Sequence, residues 1–120
     1  MEMYPFYLGN GKGLSELEQD IVATLTKHGG KFCSQYSSHS HDNGTTIEHK
    51  SGVFEFPQEG AASFHLSSAP TIKIGEHRHK AYGAVNLLGL RRDSPRYEAL
   101  DMDLSLFAMK YQKTLSGGSP

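Results

Sequence analysis

Cysteine occurs once in this chain, at Cys33. No disulfide can close within the molecule and no cysteine-based zinc site can be assembled, so a reducing, cytoplasmic setting is the expectation. Long apolar runs are missing too. Nothing approaches the roughly 18 consecutive apolar residues that a membrane-spanning helix needs. The start, "MEMYPFYLGN", has no basic region or apolar stretch of the kind an export signal uses. Excess charge of one sign is absent: 12 basic residues against 13 acidic give a net charge of −1. Extended binding along a nucleic-acid duplex, which calls for many phosphate neutralisations, is disfavoured, while a local RNA or nucleotide site remains open. No repeat, linker or second domain interrupts the 120 residues. The reading is a single α+β domain over 1–115 with a flexible tail at 116–120, large enough for one core.

What the sequence does have is pattern. "GLSELEQDIVATLTKHGG" carries Leu17, Ile21 and Leu25 at i, i+4, i+8, with Val22 widening the stripe. Ser15 and Glu18 have the spacing of a capping box, and Gly29–Gly30 supply a stop, so the spacing predicts a helix over 16–28. Beyond Gly30 the period falls to two. "KFCSQYS" reads as a strand and "SHDNG" as a turn. "TTIEHKSGVFEFP" reads as a hairpin turning at Ser51–Gly52, which sets Glu48 against Glu55. "ASFHLSS" alternates, with Phe64 and Leu66 on one side and His65 on the other. Ile72 and Ile74 face inward, as do Val85 and Leu87, so the inward side changes from even to odd positions and an irregularity must lie between, at Gly75 or over 80–83.

The run "PRYEALDMDLSLFAMKYQK" fits two periods. As a helix, Tyr97, Leu100, Leu104, Phe107, Ala108 and Tyr111 align, but Met102, Leu106 and Met109 fall on the polar face. As a strand over 98–106, Leu100, Met102, Leu104 and Leu106 alternate with Asp101, Asp103 and Ser105. The strand leaves fewer apolar groups stranded and is the expected form, paired with 81–91 through Leu87–Met102 and Val85–Leu104. The expected architecture is one N-terminal helix packed across an antiparallel sheet of about five or six strands. Tyr4, Phe6, Tyr7 and Leu8 make an apolar N-terminal segment suited to an added edge strand or to docking on a partner.

Seven histidines invite chemistry. His77 and His79 stand at i and i+2 of a strand, so they share a face and form a candidate pair of ligands for a divalent transition metal. His39, Glu55 and Arg78 supply a titrating group, a carboxylate and a cation, the types a metal-free phosphodiester cleavage requires. With "VFEFP", the helix-then-sheet layout is similar to small microbial ribonucleases. That likeness implies a strand glutamate as base and a later histidine as acid, but no histidine follows His79 here. Lys12 lies in the glycine-rich turn before the helix, and Arg91, Arg92 and Arg96 crowd "RRDSPR"; both are candidate anion contacts. No complete catalytic set emerges. The expectation is a small binding or regulatory module acting on a protein or anionic partner, with a histidine-dependent hydrolase as the alternative and a homodimer as a further option.

Overall fold

The fold is seen in a computed structural model that describes residues 2–7, 13–69, 71–74, 76–79 and 81–117. For Glu2, residues 73–74, 77–79 and 112–117 the backbone alone is described. The order is β1 (Glu2–Phe6), α1 (Leu14–Lys27), β2 (Lys31–Asp42), β3 (Thr45–Phe56), β4 (Gly60–Ser67), β5 (Ile72–Ile74), β6 (His77–His79), β7 (Gly83–Leu88) and α2 (Pro95–Gly117). Five strands make an antiparallel sheet in the order β1-β7-β4-β3-β2, and β5 and β6 form a separate hairpin. The α+β class and the antiparallel sheet match the sequence reading; the second helix does not.

Helix α1 begins at Leu14 with Gly13 as N-cap and no side-chain cap, so Ser15 and Glu18 do not form the expected box. Glu18 turns to the sheet instead, where Gln35 Nε2 donates to it at 3.3 Å and Lys50 lies 4.0 Å away. The C-terminus follows the sequence signal. Gly29 takes φ +90, its N–H donates to the Thr26 carbonyl, and the Gly30 N–H donates back to Leu25, the double closure of a Schellman motif.

Strand β3 runs unbroken through Ser51–Gly52, which corrects the expected hairpin there. Gly52 is a contact glycine: a methyl group on it would lie 2.5 Å from Phe64 Cε2. The chain reverses at Asn43–Gly44 instead, both with positive φ (51 and 79) as a two-residue hairpin turn requires. The opposition of Glu48 and Glu55 disappears with that change. Glu48 faces His39, and Glu55 faces Lys31 on one side and Ala61 on the other.

The expected strand at 98–106 is part of α2. Leu100 and Leu104 are fully buried, Ala108 and Tyr111 nearly so, while Met102, Leu106 and Met109 are exposed. The expected pairing with 81–91 is not open to it, because β7 is already paired with β4 on one side and β1 on the other. Val85 therefore pairs with Tyr4 and Leu87 with Glu2, rather than with Leu104 and Met102. Ser94 accepts the Arg96 backbone N–H at 3.2 Å on its hydroxyl, and Pro95 occupies the first helical position, where a missing N–H costs nothing.

Both helices pack against one side of the sheet. Phe6, Phe54, Phe56, Phe64, Leu66 and Val85 from the strands meet Leu17, Ile21 and Leu25 of α1 and Leu100 and Leu104 of α2. Between β4 and β7 the chain leaves the sheet as the β5–β6 hairpin, with Ile72 and Ala81 buried, so Ile72 and Val85 do not lie on one sheet. Gly75, the expected bulge, lies outside the described residues.

Candidate functional site

The residues expected to carry chemistry do not converge. Phe54 and Phe56 face the helices, so Glu55 faces the opposite side of the sheet. His39 pairs with Glu48, which shares the parity of Phe54, and its Nε2 lies 3.7 Å from Glu48 Oε2. Seven residues of β3 separate Glu48 from Glu55, about 23 Å at the rise of a strand. His39 and Glu55 are thus on opposite faces and far apart, and the structure does not bring them together. Arg78 sits opposite Lys73 in the β5–β6 hairpin, and His77 and His79 flank it opposite Ile74 and Ile72. The side chains of these three lie outside the described residues, as does Lys12 entirely.

Two of the proposed anion-binding arginines already hold carboxylates. Arg91 makes a two-bonded pair with Asp93, at 3.2 and 2.9 Å, and holds that carboxyl below its ordinary range. Arg96 donates to Glu59 at 2.5 Å and to the His28 carbonyl, and lies over the Phe56 ring. With the Ser94 hydroxyl, which is the larger influence, it keeps the Glu59 carboxyl below its usual value. Arg96 is a clamp joining the end of α1, the start of β4 and the start of α2. Arg91 and Arg92 flank it in an exposed loop.

The histidines divide between the two faces. His39 and His41 stand at i and i+2 of β2, and His41 Nδ1 is 3.2 Å from Thr46 Oγ1. On the other face Ser40 Oγ lies 2.8 Å from His49 Nε2, and the His49 and His65 rings are 5.7 Å apart. Burial lowers the His65 pKa, and the neighbouring His49 lowers it further. His28 is structural, bonded to Asp103 at 2.7 Å. Among the described residues, no three His, Cys, Asp or Glu side chains gather around one point as metal ligands.

The feature that does stand out is an edge. The sheet has two edges and they are built differently. β1 is five residues long, contains Pro5, and is packed by α2; short length and proline both blunt an edge. β2 is 12 residues long, contains no proline, and is exposed over its whole length. Its two charges, Lys31 and Asp42, stand at its ends. A register shift between Phe32 and Ser34 bends its first turn, and the rest pairs regularly with β3. Among the described residues no strand pairs with the outer side of β2, which therefore presents a row of backbone donors and acceptors.

Beside that edge lies a groove of about 660 Å³ between α1 and β2, lined by Val22, Ala23, Thr26, Phe32, Gln35 and Glu18 among others. Phe32 forms its apolar wall. It stacks on Phe54 at 4.4 Å between centroids yet remains 42% exposed. Tyr36, 71% exposed, projects from the other face of the strand. Sequence reasoning missed this edge because it shortened β2 and placed the hairpin elsewhere; the signal was the uncharged stretch from Phe32 to His41 ending in Asp-Asn-Gly. No protein-family model, curated protein or solved structure matches the chain.

Proposed function

We propose that this chain is a protein-binding module that takes an extended segment of its partner onto the outer edge of β2. The observation that carries the reading is the contrast between the two sheet edges: one is short, proline-bearing and covered, the other long, uncharged through its middle and exposed along its length. Strand addition uses the partner's main chain for affinity and its alternate side chains for selectivity. Every second residue of an added strand would point toward the α1 side, where Phe32, Val22 and Ala23 offer apolar contact and Gln35 and Glu18 offer polar contact. The intervening residues would lie beside Tyr36 on the open face. A protein partner is favoured over an anionic one because Arg91 and Arg96 are occupied by Asp93 and Glu59.

The test rests on the alternation of backbone groups. Successive N–H groups of a strand point to opposite sides, so of Ser37→Pro and Ser38→Pro one removes an outward donor and the other a donor to β3. Peptides selected from a displayed random library for binding to the chain are expected to slow hydrogen exchange at alternate amides of β2. One of the two proline variants should keep its melting temperature and lose the peptide by tenfold or more. Selected peptides that protect another surface, with β2 exchange unchanged, would remove the basis for the reading.

A further inference from the structure

Helix α2 has two apolar faces, and the fold uses only one. Leu100, Leu104, Ala108 and Tyr111 enter the core. On the outer side Met102, Leu106 and Met109, at i, i+4 and i+7, form a second stripe and are 63, 57 and 62% exposed. They account for half of the six large hydrophobic side chains exposed among the described residues. Beside the stripe a groove of about 320 Å³ runs between α1 and α2, lined by Ala23, Thr24, Lys27, Asp103, Phe107 and Lys110 along with Leu106 itself. A contiguous apolar strip of this kind marks an interaction surface, and methionines suit one that must repack.

We infer that this stripe is a homodimer interface in which α2 packs antiparallel on α2 of a second copy about a two-fold axis near Leu106. The argument is self-complementarity. A two-fold contact must match each residue of a patch with another residue of the same patch. With Leu106 on the axis, Met102 of one copy lies against Met109 of the other, and the stripe closes on itself. At 100° per residue, Asp103 and Lys110 fall on the same flank of the stripe, the flank toward α1. A two-fold axis perpendicular to antiparallel helices brings like flanks together with their order reversed. Asp103, which also holds Lys27 and His28 of its own chain, then stands within one residue's rise of the second copy's Lys110, and the same pair recurs on the other side of the axis. Opposite charges thus meet twice, where a parallel two-fold arrangement would leave these charged flanks on opposite sides of the seam. The two grooves meet at Ala23 and Lys27 of α1, but the β2 backbone and the α2 stripe share no residue, so the β2 proline pair and Leu106→Asp test the two proposals apart.

Sedimentation velocity over a range of protein concentrations tests it. The unmodified chain should pass from monomer to dimer as concentration rises. Leu106→Asp should weaken that association by roughly a hundredfold or more, since the residue is buried twice in the dimer, and should leave the far-ultraviolet circular dichroism and the melting temperature of the monomer unchanged. Lys110→Asp alone should weaken the dimer and Lys110→Arg should keep it, a dependence on charge sign that a general loss of solubility cannot imitate. A chain that stays monomeric at every concentration overturns the inference. So does a dimer indifferent to Leu106→Asp, and a dimer lost instead in the β2 proline variant would place self-association at the sheet edge.

Discussion

Gly52 and His65 lie one diagonal step apart on neighbouring strands, and each sets a separate constraint. Gly52 lies under the Phe64 ring with Phe32 beside it, so the strand carries no side chain where two aromatics need the room. Gly52→Ala is expected to destabilise the protein by about 1–3 kcal/mol through overpacking. Urea unfolding should show a lower midpoint with an unchanged slope. His65 has its pKa lowered, first by burial and then by His49. Its folded form gives up the proton more readily than the unfolded form does. Its contribution to stability is therefore fully present above the unfolded value near 6.5 and is lost as pH falls through that value toward the folded one. Urea midpoints measured from pH 7.5 to 5 should decline, and His65→Gln should flatten the decline. An unchanged profile in that variant would assign the pH dependence to other groups.

At the scale of elements, α2 decides most. Leu104→Ala removes a side chain with no exposed surface and is expected to cost about 2–5 kcal/mol. Met102→Ala removes one that is 63% exposed and should change monomer stability by no more than about 0.5 kcal/mol. On a strand the two residues would share a face and cost alike, so the ratio of the two losses reports the helix directly. The helix was visible in the sequence in part. Its core stripe could be written down from spacing, and Ser94–Pro95 is an N-cap followed by a first-turn proline. The strand reading gained its weight from Met102 and Leu106, on the assumption that apolar residues must be covered within one chain. That assumption failed because α2 leaves an outer apolar stripe in solvent, the same feature from which a second-copy interface is inferred. Helix α1 was easier. Leu17, Ile21 and Leu25 are all fully buried, and Gly29–Gly30 terminate it through a local backbone conformation that needs no distant partner.

At the scale of the molecule, the two sheet edges and the outer helix face govern what the chain can meet. The blunt β1 edge and the open β2 edge make approach asymmetric. The β2 proline pair and Leu106→Asp should therefore separate cleanly: the first affects peptide capture, the second self-association, and neither is expected to cross over. Arg96 belongs to this scale as well, because it ties α1, β4 and α2 together through His28, Glu59 and Phe56. Its role could not be read from "RRDSPR", where it looked like one of three loop cations. Partners distant in sequence were what turned it into a clamp.

By itself the sequence determined the class of the protein, the course of α1, the Asn43–Gly44 reversal within "SHDNG", and the inward faces of β4 and β7. All of these follow from residue periodicity and local turn chemistry, which act over a few neighbours. Tertiary structure decided the form of 95–117, the continuity of β3 through Gly52, the pairing of β7 with β1, and which histidines meet. Each of those depends on which surface is already covered by another element, and coverage is a property of the whole packed chain.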